Sequence, residues 1–215
     1  MHSAKPMLLF DLDGTLWDSA ANVAVAWNIV FQREDPTLPA LTAEDVHSVM
    51  GLTMREIQDA IHPGFTGERK TAVFDECCRY EVEYLREHGG EPYPGLRSTM
   101  ELLRSEGYQL GIVSNCQMGY IDAFLQSTQS GDLFCDWEEW ERTGLVKGEN
   151  IRLVMQRNHA ERAIYIGDTR KDQEAAILAG IPFIHAAYGF GTAEKPDAVI
   201  HSLAGLPAVL SGLNA

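Results

Sequence analysis

Residues 8–16 read Leu8-Leu9-Phe10-Asp11-Leu12-Asp13-Gly14-Thr15-Leu16. An unbroken apolar run ends in two aspartates two residues apart, followed by glycine. Such a run reads as a parallel strand covered on both faces. Open α/β sheets bind ligands outside the carboxyl ends of their strands, which is where Asp11 and Asp13 emerge. Residues two apart in extended chain share a face, so the two carboxylates point to roughly the same side. That close, they repel and raise each other's pKa unless a cation lies between them. A hard divalent ion such as Mg²⁺, which takes oxygen ligands, suits the pair. Gly14 permits a tight turn. Taken alone, the stretch fits equally a strand running into an Asp-Gly turn with two solvated acids.

The surrounding chain narrows the choice. Its 215 residues suit one domain, or a core with a modest insertion. There are 17 basic residues against 31 acidic ones, a net charge of −14, which argues against a nucleic-acid partner. Any anionic substrate therefore needs a local positive source: a metal ion, a lysine or a helix N-terminus. No apolar stretch has the length of a signal peptide or a membrane span. Cys77, Cys78, Cys116 and Cys135 form no zinc-type CxxC pair, so reduced thiols and a cytoplasmic location are expected.

Beyond Asp13 the periodicity turns helical. Apolar spacing predicts helices over 19–33, with Ser19 as N-cap, from near Thr42, over 53–61 and over 67–88. A turn is expected at His62-Pro63-Gly64, and no strand within 16–90. From Tyr93 onward helices and strands alternate. Strands are expected at 108–113, 163–166, 182–185 and 198–200, with helices at 96–106, 118–127, 149–158, 171–179 and 203–210. Residues 132–140, where Trp137 and Trp140 sit among acids, read as a short irregular strand or loop. The expected fold class is α/β: a doubly wound parallel sheet from 1–15 and 93–215, with an all-helical cap inserted at 16–92. The ends of that insertion must lie close together, and a module hinged there is a natural lid.

Other strands also end in polar groups: one at Ser114-Asn115, another at Gly167-Asp168-Thr169, with Asp172 four residues on. Lys147 stands ahead of a helix. Each has an ordinary alternative as a turn residue, a surface lysine or a helix cap. Converging on one sheet edge, they would form a site for a metal and an anion.

The set resembles the haloacid dehalogenase superfamily, in particular phosphoglycolate-phosphatase-like enzymes with a small helical cap. Its DxDGT motif stands here as Asp11-Leu12-Asp13-Gly14-Thr15, its hydroxyl motif as Ser114, its lysine as Lys147 and its GDxxxD motif as Gly167 to Asp172. Gly148 follows the lysine where many relatives carry proline, and Trp17 stands where a smaller aliphatic residue is usual.

The resemblance implies a Mg²⁺-dependent phosphatase of a small phosphorylated metabolite. Asp11 would be the nucleophile and Asp13 the acid/base. The metal site would draw on Asp11, Asp13, Asp168 and Asp172, with Asp172 also orienting Lys147 or a metal-bound water. Thr15, Ser114, Asn115 and Lys147 would serve the phosphoryl group, with Thr15 supporting the loop. Arg55, at a turn of the cap, would reach an anionic leaving group unless it is a surface arginine. Lys70 has no assigned role. The loop Tyr188-Gly189-Phe190-Gly191 either lines the entrance or packs. A sugar phosphomutase or pyrophosphatase shares this chemistry, and a receiver-like phosphate-sensing module shares the aspartate–hydroxyl–lysine set. Monomer and homodimer are both open.

Overall fold

A computed structural model describes residues 5–61 and 64–213. His62 and Pro63 of the expected turn lie outside the described residues. In chain order the first elements are β1 (Met7–Phe10), β2 (Trp17–Asp18), α1 (Ala20–Glu34), α2 (Ala43–His47), α3 (Met54–Ala60), α4 (Gly67–His88) and β3 (Glu91–Pro92). Then come α5 (Leu96–Ser105), β4 (Leu110–Ser114), α6 (Tyr120–Ser127), β5 (Asp136–Glu139), α7 (Trp140–Thr143), α8 (Lys147–Arg157) and β6 (Ala163–Gly167). The chain closes with α9 (Arg170–Ala179), β7 (Phe183–Ala186), β8 (Ala198–Ile200), a 3₁₀ turn at Leu203–Gly205 and α10 (Leu206–Leu213).

Six strands form one sheet in the order β5-β4-β1-β6-β7-β8, and every neighbouring pair is parallel. β1 lies inside it, with Phe10 level with Ile112 of β4 and Ile166 of β6. Successive strand residues point to opposite faces. Accordingly Leu8, Phe10, Ile112, Ile164 and Ile166 enter one apolar cluster, while Met7, Leu9, Val113 and Tyr165 enter another. Fully burying each such side chain contributes roughly 1.5–3 kcal/mol. The first cluster runs on into the helices of 20–88, where Val23, Trp27, Val30 and Phe31 of α1 join Val73, Phe74, Cys77 and Leu85 of α4.

Four expectations change. The stretch 16–90 does contain a strand, because Trp17 pairs antiparallel with Pro92 and Asp18 with Glu91. Two residues carry no readable periodicity, so only the partner reveals them. The acidic stretch near 136 is a regular edge strand, β5, followed by the short helix α7. Arg157 reaches Asp136 at 2.7 Å and Glu138 at 2.5 Å, and Arg142 reaches Glu138 at 2.7 Å, which offsets charge that argued against a strand. Lys147 opens α8 rather than preceding it. The final helix begins as a 3₁₀ turn.

Trp17 is fully buried, edge-on to Tyr120 at 5.7 Å and Phe124 at 5.2 Å, so it packs the junction between the helical segment and the sheet. All four cysteines are free. Among the described residues no helix is long and apolar enough to cross a membrane.

Candidate active site

The carboxyl ends of β1, β4 and β6 meet. Asp11 follows β1 directly, and its backbone N–H donates to the Ile166 carbonyl at 2.8 Å. Ser114 closes β4, and Gly167 closes β6 with Asp168 directly after it. Lys147 occupies the first turn of α8, where the helix dipole disfavours a cation. Acids hold it there: its Nζ donates to Asp11 Oδ1 at 2.9 Å and to Asp172 Oδ1 at 2.6 Å. All three groups are buried. Burial pushes the ammonium toward neutrality, but Asp11 and Asp172 outweigh it and raise its pKa. Gly148 packs α8 closely on α9, for a Cβ there would stand 2.8 Å from the Ala175 carbonyl oxygen.

Asp172 fills two roles. Its Oδ1 meets Lys147, while its Oδ2 accepts from the backbone N–H and hydroxyl of Thr169, at 2.9 and 2.6 Å, as a helix-capping box. Burial would raise its pKa, but Lys147 and Thr169 bring it below the usual value.

Asp168 is cradled by backbone. The Phe190 and Gly191 N–H groups donate to its Oδ2 at 2.8 and 3.3 Å. His185 Nε2 lies 3.0 Å from its carbonyl oxygen. The loop 188–191 therefore supports this aspartate. The approach is close enough to demand glycine: a Cβ at Gly14, whose φ is +77°, would lie 2.3 Å from Asp168 Oδ2. One at Gly189 would lie 2.3 Å from the Gly14 carbonyl oxygen. Thr15, expected among the phosphate-binding residues, is fully buried with its hydroxyl turned to Asp168 Oδ1 at 3.5 Å.

Asp13 faces a different set. Its Oδ1 accepts from Ser19 Oγ at 2.8 Å and Tyr120 OH at 2.9 Å, and those two hydroxyls lie 2.6 Å apart. Burial raises the Asp13 pKa to about 6 against the pull of both donors. The expected helix-capping role of Ser19 is not made by its side chain; Asp18 Oδ1 takes the Ala20 N–H instead, at 3.0 Å. The Asp13 contacts reach Ser19 across a turn and Tyr120 across 107 residues, and have no sequence signal.

Asp11, Asp13, Ser114 and Asn115 line one pocket. Val46, Val49, Met50, Gly51, Leu52, Met54 and Ile57 also line it, together with Val23, Trp27 and Glu81. Asn115 Nδ2 donates to the Gly51 carbonyl at 3.0 Å, and Lys171 pairs with Glu56 at 2.7 Å, joining the helical segment to the sheet edge. Arg55 is not brought to this pocket: it lies over the Trp140 ring at 5.6 Å and lines a separate cleft with Gln58 and Thr71. Lys70 pairs with Asp59 at 2.6 Å.

The donor set suits a hard cation. Ligand oxygens of Asp11, Asp168 and Asp172 lie within 4.8 Å of one another, with one ammonium against three carboxylates. Burial, then the Asp172 charge, raises Asp11 well above the carboxylate range, and the same causes raise Asp168 to about 7. A divalent ion among these oxygens would let both ionise. The carboxylate of Asp13 faces Ser19 and Tyr120, which leaves its backbone carbonyl as the group expected at the metal.

Glu81 went unread in the sequence. It is buried in α4 and accepts from Trp27 Nε1 at 2.7 Å; burial raises its pKa to about 8. Its spacing, four residues from both Cys77 and Leu85, places it on the apolar face, and that is the signal that could have found it.

Comparison with known proteins finds phosphatases of similar sequence and fold. Phosphoglycolate phosphatase from Yersinia pseudotuberculosis is 27% identical over 215 residues, covering 93% of this chain and 91% of the relative. Phosphoglycolate phosphatase from Caulobacter vibrioides is also 27% identical, covering 93% and 88%. The crystal structure of a predicted phosphoglycolate phosphatase from Haemophilus somnus superposes with a TM-score of 0.85 at 20% identity, over 97% of this chain and 99% of that one, a likeness of fold. The sequence profile of the haloacid dehalogenase-like hydrolases matches residues 8–186, and the chain belongs to that family.

Proposed function

We propose that this hydrolase is a Mg²⁺-dependent phosphatase that cleaves the phosphomonoester of a small metabolite through a phosphorylated Asp11. The observation that carries the reading is the pairing of Asp11 with a second, differently tuned carboxyl in the same pocket. Asp11 is held by Lys147, while Asp13 is held by Ser19 and Tyr120 and can carry a proton near neutral pH. Pairs of carboxyls whose environments differ in this way divide the nucleophile and acid/base roles.

In the first step an Asp11 carboxylate oxygen forms a bond to phosphorus as the ester P–O bond breaks. Asp13 gives its proton to the departing alkoxide. In the second step Asp13 takes a proton from water, whose oxygen bonds to phosphorus as the Asp11–phosphorus bond breaks. Lys147 neutralises charge on Asp11 and on the phosphoryl oxygens, with Ser114 and the Asn115 backbone as further donors. Asp172 positions Lys147. Asp11, Asp168 and the Asp13 backbone carbonyl would hold Mg²⁺, which supplies positive charge against the phosphoryl oxygens. Residues 16–92 act as a cap that opens for exchange of substrate and product. Free thiols fit the cytoplasm.

The test is phosphate release from a panel of phosphomonoesters and pyrophosphate, with and without Mg²⁺, beside Asp11→Asn. The expected result is Mg²⁺-dependent turnover that the variant lacks. A single stable phosphorylation per chain without turnover would instead mark a receiver-like module. Isomerisation of a sugar phosphate without net release would mark a mutase.

A further inference from the structure

One wall of the pocket is chemically unusual for an enzyme handling anions. It is built from Val23, Val46, Val49, Leu52 and Ile57, with Trp27, Glu81 and Gln117 as its polar groups. Among the described residues that line the pocket there is no lysine, arginine or histidine. Within the helical segment Arg55 lies over Trp140 and Lys70 pairs with Asp59. A carboxylate on the leaving group would thus be buried against apolar carbons and Glu81 with no counter-charge, a costly arrangement.

Two polar groups on this wall have capacity to spare. Glu81 Oε2 is taken by Trp27 Nε1. The Gln117 amide lies beside Glu81 and favours its charge, yet the Gln117 Nε2, buried, makes no hydrogen bond among the described residues. A buried amide donor without a partner calls for an acceptor, and the Glu81 carboxyl, protonated or not, keeps an oxygen that can accept from a donor. The free space is about 40 Å³, which suits a short chain.

We infer that the alcohol half of the substrate is a short aliphatic chain that carries no negative charge and bears one N–H or O–H donor, which pairs with Glu81. This rests on the phosphatase reading above. It separates this chain from an enzyme for phosphoglycolate, whose leaving group ends in a carboxylate. Gln117 completes the subsite by donating to the same polar group or to Glu81.

The test uses four phosphate esters with the same two-carbon frame: 2-aminoethyl, 2-hydroxyethyl and ethyl phosphate, and 2-phosphoglycolate. Acetyl phosphate, a small activated phosphoryl donor, reports on Asp11 whatever the leaving group. With wild-type protein and Mg²⁺, kcat/KM for at least one of the aminoethyl and hydroxyethyl esters should exceed that for ethyl phosphate about tenfold, the worth of one buried hydrogen bond. Phosphoglycolate should rank last, and which donor ester leads tells amine from hydroxyl. In Glu81→Gln and in Gln117→Leu the preference over ethyl phosphate should shrink; a merely structural role would lower all four rates together. Phosphoglycolate ranking first, or a ranking that ignores the donor, overturns the inference while the phosphatase reading stands. So does turnover of acetyl phosphate with all four esters inert. If acetyl phosphate and the four esters are all inert, the phosphatase reading itself fails.

Discussion

Lys147 Nζ sits 2.9 Å from Asp11 Oδ1, across 136 residues of sequence, and both groups are buried. Such a pair matters less for what it adds than for what its loss leaves behind. Lys147→Met removes the counter-charge for both Asp11 and Asp172. Breaking a buried pair by removing one partner costs about 3–5 kcal/mol, and losing a preorganised charge at the reacting group costs at least about a hundredfold in rate. Urea unfolding and phosphate release check the two effects. A stable, active Lys147→Met protein would show that the ammonium serves neither role.

Gly189→Ala should cost Mg²⁺ binding before it costs the fold. The new methyl would enter the space between the Gly14 carbonyl and the Asp168 carboxylate, so the loop must shift and release its N–H groups from Asp168. The measurement is the rise in Tm on adding Mg²⁺, which reports affinity for the native state. The variant should need at least about tenfold more Mg²⁺ for the same rise, as for other losses of groups that orient a metal ligand.

Gly148→Ala tests the departure at the lysine motif. Its Cβ would stand 2.8 Å from both the Ala175 carbonyl oxygen and the Leu178 side chain, so α8 must move off α9. Overpacking of this kind costs about 1–3 kcal/mol. Because Lys147 is the adjacent residue, kcat should fall as well. An alanine that raises stability, as helix propensity alone predicts, would contradict the close approach.

Glu81 makes stability depend on pH. Burial lifts its pKa from 4.5 to about 8, Trp27 donates to it, Gln117 lies beside it, and Asp13, Tyr120, Cys77 and Cys78 are titratable groups around it. A carboxyl with a raised value binds its proton more tightly in the folded protein. Stability from this group is therefore full below about pH 4.5 and falls as pH rises toward 8. The slope is at most about 1.4 kcal/mol per pH unit. Glu81→Gln removes it, so the unfolding free energies of the two proteins should diverge between pH 5 and pH 8, the variant gaining relative to wild type. Asp11 and Asp168 shift in the same direction in both proteins and cancel in that comparison. Parallel curves would show that Glu81 is ionised in the fold across this range.

The polar ends of three apolar strands were legible because period and polarity are local properties. Leu8 to Phe10, Leu110 to Val113 and Ala163 to Ile166 could hardly be anything but buried strands, and parallel strands share one carboxyl edge. β2 was not legible, and β5 was legible only as one of two readings, strand or loop. Trp17–Asp18 is a strand only because Glu91–Pro92 lies beside it, and the acids of β5 are tolerable only because Arg142 and Arg157 fold back onto them. The Asp13 contacts of Ser19 and Tyr120 were hidden for the same reason, since their partner is remote or lies across a turn. Arg55 stayed open between pocket and surface because a turn of sequence does not say which way its side chain faces.

The sequence by itself determined the chemistry available: aspartates, a lysine and a hydroxyl at strand ends and helix starts, and a helical segment after the first strand. These depend on residue type and spacing alone. Tertiary structure decided how the chemistry is divided. Asp11, Asp13, Asp168 and Asp172 are the same residue, yet one is held by Lys147, one by two hydroxyls, one by backbone N–H groups and one by both lysine and helix cap. Their proton affinities separate because charge interaction and desolvation depend on distance and burial, which only the packed chain supplies. The pocket wall was decided in the same way, by α1 and α4 bringing Trp27 and Glu81 together across 54 residues.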